Sequence, residues 1–314
     1  MNLNRILYNK SKLPKSDGRV ITLGSFDGLH LGHQKVVNEV VKVANLDNLT
    51  PGLLSFYPHP SVRLKRANNI PQITSLYQRI NLLSCLGIKE LFLLNFTTEV
   101  SNISWQQFCD QILIQALNVK HLIIGADARI GKEAKGNSNN IPEYLTSRNI
   151  KVTVCTLDCD PVGAKYSSRH IRQFVSQGDL SQAKASLGRN FQLFGRVVKG
   201  RQLGSKLGFP TANIHYSDMI IPPNGVYAVK VALDDKFHFG VMNIGVRPTV
   251  SKIASDVRVP EVHLLDFSSN IYGKKIQIEF IKKIRDEQKF DSVDQLKDQI
   301  KFDCNTARKL LFDA

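Results

Sequence analysis

The feature that most constrains this chain is a change of rhythm partway along it. Up to residue 157, short apolar runs alternate with amphipathic stretches. The runs are RVITLGS (19–25), PGLLSFY (51–57), KELFLLNF (89–96), KHLIIGA (120–126) and NIKVTVCTL (149–157). Between them lie LGHQKVVNEVVKVANL (31–46), SLYQRINLLSCLGI (75–88) and SWQQFCDQILIQAL (104–117). Val36, Val40 and Val43 recur at helical spacing, and Ser104 stands where an N-cap would open a helix. Strand–helix–strand units of this length bury apolar strands between layers of helices, which predicts a doubly wound parallel α/β sheet.

Beyond 157 the pattern changes. Two short helical stretches end at Gly178 and Gly188, and the chain then becomes rich in short strands and glycine or proline turns. Candidate strands are 192–199, 225–233, 236–244, 261–267 and 275–284, and Asp234-Asp235 marks a tight hairpin. Val293, Leu296, Ile300, Ala307 and Leu310 approximate a helical stripe at the end. A small antiparallel β-barrel with a C-terminal helix follows, and the expected domains are 1–187 and 188–314. The 314 residues suit two such domains.

Composition narrows the class. No apolar run approaches the roughly 18–20 residues of a membrane-spanning helix. The N-terminus lacks the apolar core of a secretory signal, and five scattered cysteines suit reduced thiols, so a cytoplasmic protein without a membrane partner is expected. The net charge of +15 divides into +9 over residues 1–188 (22 basic, 13 acidic) and +6 over 189–314 (20 basic, 14 acidic). Such a field attracts polyanions, nucleotides among them. The basic residues form no stripe interleaved with aromatics, which argues against a nucleic-acid partner.

Two segments carry chemistry. GSFDGLHLGH (24–33) falls at the turn from the first strand to the first helix, where doubly wound sheets collect ligands and helix N-termini favour anions. Gly24 and Gly28 permit unusual backbone angles beside Phe26. His30 and His33 are either phosphate donors on one face of the helix start or capping and buried histidines. In the second half, GRVVKGRQLGSKLG (195–208) precedes FPTAN (209–213). Gly195, Gly204 and Gly208 would let backbone amides approach phosphates, with Lys199, Arg201 and Lys206 adding charge. Thr211 and Asn213, after Pro210, face the same way on an extended segment and offer hard oxygens suited to Mg²⁺.

These residues also carry a resemblance. GxFDGxHxGH resembles the signature of the nucleotidyltransferase module in bacterial bifunctional riboflavin kinase/FAD synthetases, within the superfamily marked by HxGH. FYPHP (56–60), IIGADARIG (123–131) and KYSSRHIR (165–172) resemble that module's F-x-P-H-P, V-G-x-D-F-x-F-G and K-I-S-S-T-x-I-R segments. LGFPTANI (207–214), PPNGVYAV (222–229), MNIGVRPT (242–249), PEVHLLDF (260–267) and YGKKIQIEFIKKIRDEQKF (272–290) follow the kinase module in order.

The resemblance implies riboflavin, FMN and ATP as substrates, Mg²⁺ as cofactor, and FMN and FAD as products. It implies His30 and His33 on the α-phosphate, Ser167, Ser168 and Arg172 on the other phosphates, and Asp127 on the adenosine, although Asp127 also reads as a turn residue. It implies Glu261 as the general base on the riboflavin 5′-hydroxyl; without it Glu261 would read as a strand-edge surface residue. Arg285 either closes over flavin or nucleotide or is a solvated cation. Ala128 and Ile130 replace the pattern's aromatics and Arg169 its threonine, which keeps open a riboflavin kinase with a weakened adenylyltransferase. A flavin-sensing or RNA-binding regulator is the reading from another class.

Overall fold

The computed structural model of the chain describes residues 1–6, 8, 13, 15–64, 69–156, 166–200, 204, 207–246 and 258–312. Two compact units emerge: Met1–Ile70 with Leu76–Ser168, and Pro71–Ser75 with Arg169–Ala314.

The first unit is built on six parallel strands: β1 (Asn2–Ile6), β2 (Arg19–Leu23), β3 (Thr50–Tyr57), β4 (Glu90–Asn95), β5 (Val119–Gly125) and β8 (Lys151–Cys155). Their order is β1-β4-β3-β2-β5-β8, so the winding reverses between β2 and β5. Ligand crevices open at such reversals, outside the carboxyl ends of the strands. Two further strands, β6 (Arg129–Ile130) and β7 (Gly136–Asn137), form a small ribbon. Alternation along the strands separates two apolar layers. Val20, Leu53 and Leu91 pack with Val36, Val37 and Val40 of helix Leu31–Leu46, whereas Ile21, Leu54 and Phe92 pack with Phe108, Ile112 and Leu145.

Helix 104–117 differs from expectation in its winding. A capping box of Ser104 and Gln107 opens one α-turn, and Phe108–Ala116 continues as a π-helix. Apolar spacing at this length does not distinguish the two windings. Strand β1 was not visible in the sequence because NLNRI, at the sheet edge, buries Ile6 but leaves Leu3 exposed.

Beneath this sheet Arg19 and Glu90 form an ion pair shielded from water. Arg19 Nε donates to Glu90 Oε2 at 2.6 Å and Nη1 to the Leu117 carbonyl at 2.9 Å. The guanidinium also lies over the Phe92 ring. Removing one partner strands the other charge in the interior.

The second unit is a closed antiparallel barrel. Its strands are β9 (Gln192–Val198), β10 (Ala212–His215), β11 (Gly225–Leu233), β12 (Lys236–Val246), β13 (Arg258–Leu264) and β14 (Lys275–Arg285), in the order β10-β13-β12-β11-β14-β9. Asp234 and Asp235 take positive φ of 49° and 60°, the geometry of the expected two-residue hairpin. Tyr227, Val229 and Val231 share one buried cluster with Met242, Ile244 and Val262. The alternate residues Val226, Ala228 and Val241 lie in another, beneath Cys304, Ala307 and Leu311 of the terminal helix Val293–Phe312.

Val293, expected on that helix's apolar stripe, is 57% exposed. Helices Ser168–Gln177 and Leu180–Leu187 contribute Ile171, Val175, Ala183 and Leu187 to the barrel's cluster, so they pack with the second unit although the sequence pattern groups them with the first. No helix among the described residues is long and apolar enough to cross a membrane.

Arg19→Met is expected to cost about 3–5 kcal/mol of stability in the first unit. Denaturant titration followed by the single tryptophan, Trp105, checks this, because its fluorescence reports that unit alone.

Candidate active sites

The turn after β2 is where the first site begins. Gly24 (φ 155°), Phe26 (48°), Gly28 (81°) and Leu29 (43°) all take positive φ, a tightly turned backbone that leads directly into helix Leu31–Leu46. A buried ion pair braces it: Arg79 Nη2 lies 3.5 Å from Asp27 Oδ1, and Arg79 Nη1 donates to the Ser25 carbonyl at 3.0 Å. Ser168 Oγ donates to the Asp27 carbonyl at 2.8 Å from the other side. The turn walls a cleft of about 380 Å³ that gathers Gly24, Phe26, His30, His33, Asp127, Ser167 and Ser168. Gly28 shapes the turn without lining the cleft.

Of the two histidines, the first takes the capping position. His30 is the N-cap, its Nδ1 accepting the His33 backbone N–H at 3.2 Å. A neutral His30 ring therefore carries its proton on Nε2. The His30 and His33 rings stack 3.6 Å apart. Burial, with the His30 and Arg79 charges behind it, holds His33 well below the ordinary imidazole range, so His33 is neutral at neutral pH. Its buried Nδ1 has no hydrogen-bond partner among the described residues.

Sequence reasoning missed Tyr166, Phe56 and Arg129, which also line this cleft. Tyr166 stands beside His30, with rings 6.3 Å apart. Phe56 and Arg129 also border an adjoining cavity of about 370 Å³ with Phe96, Phe108 and Lys132. FYPHP and the stretch after β5 both signalled this region, but their convergence depends on the parallel pairing of the sheet. Ala128 lies in the cleft wall, and Ile130 packs with Phe108 while also bordering the adjoining cavity. Arg172 belongs to the second unit, where its Nε donates to the Pro71 carbonyl at 2.8 Å. Arg169 is exposed on the same helix.

In the barrel the strand register assembles the second site. Asn213 on β10 pairs across from Glu261 on β13, and Glu261 pairs across from Asn243 on β12, so three polar side chains stand abreast on one face. Thr211 Oγ1 donates to Glu261 Oε2 at 3.4 Å, and the His263 ring donates through Nδ1 to the Pro210 carbonyl at 2.8 Å. A cavity of about 310 Å³ brings Thr211, Glu261, His263 and Arg285 together under Leu296 and Ile300 of the terminal helix. A second, of about 320 Å³, opens past Pro210 and Thr211 toward Leu264 and Tyr272. Thr211 borders both.

The glycines differ in role. A Cβ on Gly204 would fall 2.4 Å from the Phe209 carbonyl oxygen, and one on Gly200 would meet the Asn213 amide at 2.1 Å, so Gly204 lies close against Phe209 and Gly200 against Asn213. Gly200 carried no separate signal in a glycine-rich stretch. Gly195 lies within β9, where a side chain would strike Ile214 of β10. Gly208 turns the chain at φ 87°, and Lys199 follows the end of β9. Arg201 and Lys206 lie outside the described residues.

A helix start armed with two histidines at the reversal of a doubly wound sheet, joined in one chain to a barrel with a carboxylate–hydroxyl–amide row, defines a two-site nucleotide transferase. Family models narrow this class: the FAD synthetase model matches residues 12–170 and the riboflavin kinase model residues 187–311. Among curated relatives, the bifunctional riboflavin kinase/FMN adenylyltransferase of Bacillus subtilis is 38% identical, over 92% of this chain and 91% of its own. That of Escherichia coli K12 is 36% identical over 98% and 97%. A crystal structure described as a macrolide-efflux protein from Streptococcus pneumoniae is 30% identical and superposes with a TM-score of 0.85 over 98% of both chains. The chain belongs to the bifunctional riboflavin kinase/FMN adenylyltransferase family.

The depressed His33 pKa has a consequence for stability. Below the ordinary value of 6.5 the unfolded chain takes up a proton that the folded ring resists, so this contribution is complete above 6.5 and is lost on acidification. Denaturation midpoints read from Trp105 should fall from about pH 7.5 to about 5.5, and His33→Asn should flatten part of that slope. An equal slope in both proteins would remove His33 as the cause.

Proposed function

We propose that the family's two reactions divide between the two units: riboflavin becomes FMN at the barrel, and FMN becomes FAD at the sheet. The observation that carries this reading is Thr211, which borders both barrel cavities and touches Glu261. With riboflavin in the cavity that holds Glu261 and ATP in the other, the γ-phosphate reaches the flavin alcohol at Thr211. Glu261 takes the 5′-hydroxyl proton as that oxygen attacks the γ-phosphorus, and ADP departs with the bonding pair. The apolar side of the flavin cavity, with Phe209, Phe290 and Leu296, suits a flat ring.

Thr211 and Asn213 supply hard oxygens beside a carboxylate, with Gly200 packed against Asn213 and Gly204 against Thr211 too closely for any side chain. This donor set fits Mg²⁺, which would be held by Thr211 and Asn213. Bound there with ATP, the ion would neutralise phosphate charge.

In the first unit no protein nucleophile is required. An FMN phosphate oxygen attacks the α-phosphorus of ATP and pyrophosphate leaves, so alignment and charge neutralisation carry the reaction. His30 Nε2–H donates to the α-phosphate, with His33 stacked behind it. Ser167 and Ser168 serve the remaining phosphates, and Asp127 serves the adenosine. Phe56, Phe96 and Phe108 offer aromatic surface for the isoalloxazine, and Arg129, common to both cavities, meets the FMN phosphate. Arg172 is assigned to the phosphates on the motif match alone. The ATP requirement and the scattered thiols suit a cytoplasmic location.

Two substitutions dissect the sites. Glu261→Ala should lower FMN formation at least about 100-fold while sparing AMP transfer to supplied FMN. His30→Ala should lower FAD formation about 100–1,000-fold and spare the kinase. Chromatographic separation of riboflavin, FMN and FAD reads both, and loss of both activities from either change would refute the division of labour.

A further inference from the structure

His263 shares a face of β13 with Glu261 and lines the same cavity, yet neither the proton transfer to Glu261 nor the contact at Thr211 employs its ring. Its geometry is specific. Nδ1 stands 2.8 Å from the Pro210 carbonyl oxygen. A carbonyl only accepts, so Nδ1 supplies the proton of this bond whatever Nε2 holds. The Phe209 ring meets the imidazole in a T-shaped contact, at 82° with centroids 5.7 Å apart.

What the bond holds is the approach to Thr211. Pairing of β10 with β13 begins at Ala212, opposite Val262, and continues with Asn213, opposite Glu261. Pro210 and Thr211 lie just before that ladder, and two side chains of β13 reach them instead. Glu261 accepts from Thr211 Oγ1, and His263 donates to the Pro210 carbonyl. One residue earlier, the Phe209 N–H donates to the Gly204 carbonyl at 2.9 Å. The pyrrolidine ring fixes φ of Pro210, and the peptide that follows is planar. The torsion left soft is ψ of Pro210, which swings its carbonyl and the Thr211 N–H together as one plate. Anchoring the carbonyl settles that torsion, and with it the plane from which the Thr211 side chain departs.

Resting on the kinase reading above, we infer that His263 is a positioning residue for phosphoryl transfer: its Nδ1–H bond to the Pro210 carbonyl holds Thr211 against Glu261, between the two cavities. Thr211 borders both of them, so a tilt of its peptide displaces the point where the γ-phosphate meets the flavin alcohol. A displacement of about 1 Å at a reacting centre costs roughly 100-fold in rate. The cost falls on turnover, because the bond aligns the reacting groups and leaves the flavin's apolar surface in place.

The test compares substitutions of His263 in the full-length enzyme, with FMN and FAD counted together as kinase product. His263→Leu keeps an apolar side chain beside Phe209 but donates nothing. Its kcat should fall roughly 100-fold while the KM for riboflavin stays within about threefold of wild type. His263→Asn presents an amide N–H close to where Nδ1 stands, and should recover most of the lost rate with the wild-type pH profile of kcat. His263→Gln carries its amide nitrogen to the Nε2 position and should remain as slow as His263→Leu. All three should adenylylate supplied FMN at the wild-type rate. Rescue by Gln in place of Asn would move the role to Nε2 and overturn the inference. Failure of Asn together with loss of a limb from the pH profile would make the ring a proton carrier and overturn it too. A KM that rises in step with the fall in kcat would mark His263 as merely structural, and full activity in His263→Leu would dismiss it altogether, both leaving the kinase reading intact. A wild-type enzyme that forms no FMN would remove that reading as well.

Discussion

One hydrogen bond, from the His33 backbone N–H to His30 Nδ1, ties the fold of the first unit to its chemistry. It satisfies one of the donors that every helix start leaves open, and it also settles which imidazole nitrogen holds the proton. A helix cap and a phosphate donor are usually weighed as rival explanations for such a histidine. Here the cap fixes the tautomer, because a neutral ring that accepts through Nδ1 carries its proton on Nε2. The turn that delivers His30 depends in turn on Arg79, whose guanidinium reaches both the Asp27 carboxylate and the Ser25 carbonyl.

The barrel reaches a comparable result through the pleat. Ala212, Ile214, Val262 and Leu264 join the interior cluster, so Thr211, Asn213, Glu261 and His263 must stand on the opposite face. Antiparallel pairing then brings Asn213, Glu261 and Asn243 abreast. The terminal helix covers this face, burying Val226, Ala228 and Val241 and presenting Asp303 to Arg285. One helix thus completes the packing and pairs Asp303 with Arg285.

Much of this was legible from residue order. Alternating apolar runs mark the parallel sheet, Gly188 closes its helix in the left-handed conformation, and Asp234-Asp235 makes the hairpin. The HxGH and PTAN segments point to their own neighbourhoods because their chemistry is local: glycines, histidines and small polar side chains within ten residues. Other features were not legible for equally physical reasons. Strand β1 has too few apolar residues to stand out and needs β4 beside it. The π-winding of Phe108–Ala116 shares its residue pattern with an ordinary helix. Ile130, where the family pattern has an aromatic, turns out both to pack in the core and to border a cavity.

The sequence by itself determined the two architectures, the order of their elements and the residues most suited to phosphate chemistry, since each rests on periodicity or on groups adjacent in the chain. Only the tertiary structure decided that Phe56 and Arg129 border two neighbouring cavities, that Glu261 faces Thr211, and that Arg285 is neutralised by Asp303. Those relations join residues 18 to 73 positions apart, and no local propensity encodes them; they exist because strand pairing and apolar burial leave each side chain one place to go.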